Sequence, residues 1–270
     1  MPPPSAGELR DTVYRDGIVG LGHALPTAWA DQLLDDFAAV FTDAMSYPGG
    51  TVPSGPHRHY LAVHPQRLRG LVDLVNHPWL TELSDAVLGP DYRIVELGFD
   101  VALPGAVDQP WHRDFPMPDE TRNEGRLTSL AFNATTVDVS PDLAPFEIAP
   151  GTQWDTPEDL DHGMFPPRTA ASRYRRLGQR RYPKRGDLSA RSALAVHRGT
   201  ANHSSRSRAI LVLGVTAADV QVSDVQRLVM TGDYPRALPD AVRVRLHSSV
   251  VEELEPLVQQ HDIEGLLMGG

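Results

Sequence analysis

QPWHRDFPMPDE, residues 109–120, sets a histidine and an aspartate one residue apart in a stretch crowded with prolines. His112 and Asp114 are either chance neighbours in a polar loop or two thirds of a metal site. In the second case a third donor must come from elsewhere in the chain, and rigid strands must bring it back to the first two. The reading of this stretch therefore decides the fold together with the chemistry.

The search for the third donor runs through the other histidines. His23, His77, His162, His247 and His261 lie near expected helix ends or in loops and have no partner spacing. His57, His59 and His64, in GPHRHYLAVHPQ, form a second cluster. His57 and His59 make an H-x-H pair of the kind that binds zinc, but they fall in a Pro/Gly-rich stretch (47–60) read as a loop, with no carboxylate beside them. They are expected to line a surface or a pocket mouth. His197 differs. It ends the apolar run SALAV, and a second apolar run, AILVLGV, begins directly after Arg208. Gly199, Asn202 and Ser204 in between are turn-formers. His197 and Arg208 are thus expected on or beside two neighbouring strands, aimed into one barrel mouth. Two histidines and one carboxylate on a face match the facial triad of non-haem Fe(II) oxygenases. An arginine beyond the metal suits two-pronged recognition of a carboxylate.

The texture around these residues is that of strands. YRIVELGFDVAL (92–103), RLTSLAFNATTV (126–137), FEIAP (146–150), SALAVHRG (192–199) and AILVLGVTA (209–217) are short strand-like runs separated by Pro, Gly, Asp and Asn. GIVGL (17–21) reads as another. Leu33, Phe37, Val40 and Phe41 recur at helical spacing after Pro26, and a second helix is expected from Asn76-His77-Pro78 to Leu88, stopped by Gly89. MPPPSAG reads as a frayed start. Helix is expected again over 239–251 and 255–267. Helices at both ends of a β-rich middle predict a mainly β fold, a sandwich or jelly roll buttressed by helices, as one domain over 1–270 with its core at about 90–217.

Composition narrows the function. A formal charge of −10 argues against nucleic-acid binding, which needs a basic surface. The absence of cysteine removes disulfides, thiolate metal sites and cysteine nucleophiles. With no signal-peptide pattern and no apolar run of spanning length, a soluble cytoplasmic protein with no membrane partner is expected.

In order along the chain, His112-Arg113-Asp114, then His197, Asn202 and Arg208 at H-x-x-x-x-N-x-x-x-x-x-R spacing, resemble the phytanoyl-CoA dioxygenase family of Fe(II)/2-oxoglutarate oxygenases. Gln109 and Trp111 precede the first pair as in that family. FEIAPGTQW (146–154) is similar to its iPGSHxW-type segment, with Thr152 and Gln153 in place of Ser and His, and KRGDL (184–188) to its Gly-Asp turn. The resemblance covers about 90–217. It implies a double-stranded β-helix of the jelly-roll, cupin-like kind. It implies Fe(II) on His112, Asp114 and His197, the catalytic set, with 2-oxoglutarate and O2 as cosubstrates and Arg208 on the far carboxylate of 2-oxoglutarate. Since Asp114 is a carboxylate and not a small residue, oxidation without halide is implied.

Secondary roles are assigned by strand alternation. If Ser129 faces the pocket, so does Asn133, and both would hydrogen-bond the cosubstrate; the opposite phase would bring in Thr128 and Phe132. Trp111 is expected beneath the ligands, and Trp154 in the substrate cavity or the core. Segment 168–191 holds nine Lys or Arg in an acidic chain. It is either a solvated loop or a lid for an anionic small-molecule substrate, with Arg175, Arg176, His57 and His59 as its grips. The expected reaction is hydroxylation of a natural product or amino-acid-derived metabolite. The rival readings are a non-catalytic jelly-roll binding protein and a zinc-dependent hydrolase.

Overall fold

The computed structural model describes residues 4–221 and 228–258. The strands are β1 (Ile18–Leu21), β2 (Val52–Pro53), β3 (Arg58–Ala62), β4 (Arg93–Ala102), β5 (Ser129–Thr135), β6 (Phe146–Ile148), β7 (Gln179–Arg181), β8 (Leu188–Ser192), β9 (His197–Gly199), β10 (Arg208–Thr216), β11 (Leu228–Thr231) and β12 (Ser248–Val251). The principal helices are α1 (Ala6–Asp16), α2 (Thr27–Met45), α3 (Leu71–Val75) and α4 (Pro78–Leu88), with the shorter α5 (Asp119–Glu124), α6 (Ala171–Leu177), α7 (Tyr234–Ala237) and α8 (Asp240–Arg243).

A seven-stranded antiparallel sheet runs β1-β8-β5-β10-β4-β3-β2, and a three-stranded sheet runs β7-β6-β9. Alternation along the large sheet explains how it has two different faces. Leu97, Phe99 and Val101 of β4, and Leu211, Leu213 and Val215 of β10, join one buried apolar cluster with Leu33 and Phe37 of α2 and Trp79, Leu80 and Leu83 of α4. The intervening residues, among them Asp100, Arg208, Ile210 and Val212, line a cavity whose other wall is Phe146, His197 and Gly199 of the small sheet. This is the jelly-roll arrangement, with the helices on the outside of the large sheet.

Several expectations change. The stretch 47–60 is not all loop, since β2 and β3 form a hairpin on the sheet edge, pairing Val52 with Tyr60 and Arg58 with Ala102. Pro53 is tolerated there because the edge strand leaves its missing N–H facing outward. Helix α1 begins inside the expected frayed start, where Ser5 and Glu8 form a capping box. At the other end helix occupies only 240–243 of the expected 239–251, because Ser248–Val251 pairs in parallel with β11. Residues 255–258 are irregular, and 259–267 lie outside the described residues. SALAV is not a strand ending at His197. β8 stops at Ser192, residues 193–196 turn, and His197 opens β9. β9 and β10 belong to facing sheets, so His197 and Arg208 approach the cavity from opposite walls. No helix among the described residues is long and apolar enough to cross a membrane.

Candidate metal and cosubstrate site

One donor atom from each of His112, Asp114 and His197 lies within 4.8 Å of the others, and no other such cluster of His and acidic groups occurs among the described residues. Backbone pairing brings them together. His112 and His197 exchange N–H to C=O hydrogen bonds of 2.9 and 2.8 Å, and Asp114 N–H donates to Ala193 O at 3.0 Å.

Both imidazoles are oriented from behind. His112 Nδ1 is 2.9 Å from Pro110 O, and His197 Nδ1 is 2.9 Å from Ala195 O. A carbonyl only accepts, so each Nδ1 must carry the proton and each Nε2 keeps its lone pair. Burial lowers the pKa of His112 and takes that of His197 well below the usual range, with Arg191 adding to the effect on His197. The rings are therefore neutral donors. Desolvation alone would raise Asp114, but the Arg191 guanidinium outweighs it by charge and hydrogen bond and holds its carboxyl below the ordinary value. Two buried neutral nitrogens and an ionised, partly exposed oxygen, gathered within reach of one ion, fit a divalent iron.

Arg208 is 2% exposed and pairs with Asp100 on the neighbouring strand β4. Its Nε is buried without a partner. Beside it, Arg58 is fully buried, donates through Nε to Val107 O at 2.9 Å and through Nη2 to Thr200 O, and leaves Nη1 unpartnered. Burial, reinforced by Arg208 and opposed by Asp100, pushes Arg58 down to about 10. Gln109 ties the two walls, its Nε2 donating to Ser54 O and its Oε1 accepting from Gly199 N–H. Gly199 has no room for a side chain, because a Cβ there would lie 2.5 Å from Arg58 Nη1 and 2.8 Å from Gln109 Oε1.

The chain belongs to the phytanoyl-CoA dioxygenase family. The family model matches residues 13–210. The family is one of Fe(II)/2-oxoglutarate-dependent oxygenases, so the protein is an enzyme of that class. A search of curated proteins gave no match. Similar solved structures include the non-haem alpha-ketoglutarate-dependent carbocyclase SnoK from nogalamycin biosynthesis (TM-score 0.62, 19% identity, 81% of this chain and 88% of that one). The epimerase SnoN, solved with Fe3+, alpha-ketoglutarate and nogalamycin RO, has TM-score 0.59 and 19% identity over 79% of this chain and 84% of that one. AviO1 from Streptomyces viridochromogenes Tue57 has TM-score 0.58 and 19% identity over 83% of this chain and all of that one. At these identities the likeness is one of fold.

The remaining expected site residues scatter. Asn133 lines the cavity together with Thr135, while Phe132 packs edge-on against Trp79 on the opposite face. Ser129 is further along the strand and outside the lining; its hydroxyl is buried without a partner. His59 points away from the cavity, its Nδ1 3.0 Å from Thr51 Oγ1 and its ring against Phe41. His57 is exposed in the turn before β3. Alternation puts Arg58, between them, on the inner face instead. Arg175 and Arg176 are exposed on α6 and absent from the lining. Trp154 packs on Tyr14 and donates to its carbonyl at 2.9 Å. Trp111 stacks against Tyr174 and under the Arg198 guanidinium.

The basic segment is mostly neutralised. Arg173 pairs with Asp155, Arg180 with Glu147, Lys184 with Asp138, Arg185 with Asp31 and Arg191 with Asp114. Arg181 is the member that lines the cavity without an acidic partner among the described residues; its Nε is buried and unpartnered. Strand pairing held a signal for it, because an RRY run before a Pro-Lys-Arg-Gly-Asp turn is short enough to be an edge strand with one side chain inward.

Proposed function

We propose that this enzyme oxidises a C–H bond of a small molecule, with hydroxylation as the outcome, and that His112, Asp114 and His197 hold the iron while Arg208 takes the far carboxylate of 2-oxoglutarate. The observation that carries the assignment is the pair of Nδ1–H to carbonyl hydrogen bonds, which leave a lone pair on each Nε2 for a metal beside Asp114, with His197 and Arg208 on facing walls of one cavity. When bound, iron with 2-oxoglutarate and O2 supplies an oxidant that removes a hydrogen atom from carbon. One oxygen atom goes to succinate, formed with CO2, and the other to the product alcohol.

The chain's own residues bind, orient and exclude water. Arg208 must give up or share its bond to Asp100 when a second carboxylate arrives, and a charge-assisted fork fixes the pose of that carboxylate. Asn133 and Thr135 offer hydrogen bonds along the same wall. Ile18, Val19, Leu21, Val139, Phe146 and Ile210 give the cavity of about 380 Å³ an apolar body. That volume suits a cosubstrate and a compact substrate. Arg181 at the cavity wall is the grip for an anionic group, in place of Arg175 and Arg176. A natural-product or amino-acid-derived substrate is supported by neighbours of the same fold from nogalamycin biosynthesis.

A binding protein has no use for a full donor set with both tautomers locked, and a zinc hydrolase does not account for a buried guanidinium across the cavity. The test is succinate release, dependent on Fe(II) and O2, screened over small carboxylates and glycosylated or polyketide-like compounds, with product mass read beside it. Hydroxylation adds one oxygen atom. Loss of two hydrogens would assign ring closure or desaturation instead, and unchanged mass with altered retention would assign epimerisation. Absence of 2-oxoglutarate turnover in the presence of every cosubstrate would refute the assignment.

A further inference from the structure

Asp114 has two carboxylate oxygens, and its neighbours treat them differently. Oδ1 lies 3.4 Å from His197 Nε2. Oδ2 accepts a 2.6 Å hydrogen bond from Arg191 Nη1, while Nη2 reaches Oδ1 only at 3.2 Å. Arg191 thus bonds both oxygens, and the shorter contact is on Oδ2 while Oδ1 is the oxygen found beside His197.

Arg191 is in no position to follow the carboxylate if it rotates. It sits within β8, paired with Ile18 of β1 on one side and Ala131 of β5 on the other. Its side chain is 8% exposed, and its guanidinium carbon lies 5.6 Å from the centre of the Phe146 ring. Asp114 is pinned at its own end by the bond from its N–H to Ala193 O. The backbones that carry guanidinium and carboxylate are therefore both fixed at the end of β8, each by its own hydrogen bonds.

An arginine is a costly neighbour for a metal ligand, since it repels the cation the ligand must attract. A neutral donor would orient a carboxylate without that cost. What the guanidinium adds is a firm, directional hold on one oxygen. Carboxylates bind metals through one oxygen or through two. With His112, His197 and one Asp114 oxygen holding iron and 2-oxoglutarate chelating it, a position would be left for O2. A second oxygen from Asp114 would fill the remaining one.

We propose that Arg191 is a positioning residue that keeps Asp114 a one-oxygen ligand, by holding Oδ2 so that Oδ1 alone is offered beside His197, and that it thereby preserves an open coordination position. This rests on the iron and 2-oxoglutarate reading above. It gives Arg191 a role apart from Arg208: one arginine receives the cosubstrate, the other limits what a protein ligand can do.

The sign of the effect on metal affinity tests it. Metal-free wild type, Arg191→Met and Arg191→Lys are titrated with Co(II). Loss of the positive charge and release of the second oxygen should tighten Co(II) binding about tenfold in Arg191→Met, with Arg191→Lys close to wild type. A residue that merely props up the loop would give the opposite sign, weaker binding in Arg191→Met. In a second arm, nitric oxide stands in for O2 on the anaerobic Fe(II)/2-oxoglutarate protein. Arg191→Met should keep the visible charge-transfer band of the chelate and lose most of the nitrosyl EPR signal, and Arg191→Lys should restore it. An undiminished EPR signal in Arg191→Met, or looser Co(II) binding, overturns the proposal. A wild type without a charge-transfer band would refute the underlying reading instead, and the Co(II) arm, which needs no 2-oxoglutarate, would still decide what Arg191 does to Asp114. Should Arg191→Met prove insoluble, Arg191→Gln replaces it in both arms with the same expected signs.

Discussion

Two arginine–aspartate pairs, each a buried arginine on a partly exposed aspartate, have their arginines in the wall of one cavity and are built differently. Arg208 and Asp100 stand on adjacent strands of one sheet, so their bond lies within a wall. Arg191 stands on β8 and Asp114 in the loop after His112, outside both sheets, so theirs joins a strand to a loop. In the first pair the aspartate is no metal ligand, and the arginine is the group with work to do. In the second the aspartate is the proposed ligand, and on our proposal the arginine constrains it. A buried ion pair has little net worth as a stabilising device, because desolvation offsets much of the attraction, yet removing one partner strands the other. The pairs are better understood as ways of storing a charge until a ligand needs it.

The largest effect that separates the two ends is expected at Arg208. Arg208→Ala should weaken 2-oxoglutarate binding by about two orders of magnitude, the loss of a charge-assisted fork, measured as KM for 2-oxoglutarate in succinate release. A KM within threefold of wild type would remove the distinction between the pairs. Next comes stability. Asp100→Ala leaves Arg208 buried and unpaired, and Tm should fall by roughly 5–10 °C. Saturating 2-oxoglutarate with Mn(II) should then raise Tm more in this variant than in wild type, because the cosubstrate supplies the missing carboxylate. Equal ligand-induced shifts would mean that the cosubstrate does not meet Arg208.

The site was more legible in the sequence than its supports were. The H-x-D pair and the distant histidine and arginine stand at spacings that name a family, and the apolar runs around them mark strands whatever their partners. Asn133 follows from period-two alternation once one strand is placed. Arg191 does not. It is one arginine among nine basic residues in its segment, and its partner is 77 residues away in a loop. Arg58 was hidden between two histidines that drew attention to the wrong face of β3. The β9–β10 connection was misread because a turn within one sheet and a crossing between two sheets use the same small polar residues. The capping box at Ser5 and Glu8 is written in the sequence, but a proline-rich start suggests disorder before it suggests a helix.

Two smaller effects sharpen the comparison. Arg181 lines the cavity without a carboxylate, unlike either pair. Arg181→Ala should raise KM for an anionic substrate about tenfold and leave substrate-free 2-oxoglutarate turnover unchanged, while Arg175→Ala and Arg176→Ala alter neither. An unaltered KM in Arg181→Ala would end the anionic-grip reading. The smallest is a pH effect at Glu96, a carboxyl without an arginine bonded to it. Tyr60 donates to it at 2.5 Å, yet burial, aided by Asp114, raises its pKa. A carboxyl whose folded value lies above its unfolded one favours the folded state at low pH. That contribution is lost as pH rises from the unfolded value near 4.5 through the folded one. Glu96→Gln cannot titrate, so its Tm relative to wild type should improve between pH 4.5 and pH 8, by about 2 °C or more. A constant difference across that range would show that Glu96 is not desolvated.

The most direct measurement is an anaerobic titration of metal-free protein with Fe(II) and 2-oxoglutarate, followed by visible absorption, with His197→Ala and Arg208→Ala alongside. The expected result is a charge-transfer band that saturates at one iron per chain, is absent in His197→Ala, and needs far more 2-oxoglutarate in Arg208→Ala. A folded wild type that binds Fe(II) and shows no band would contradict the assignment of these residues to iron and 2-oxoglutarate.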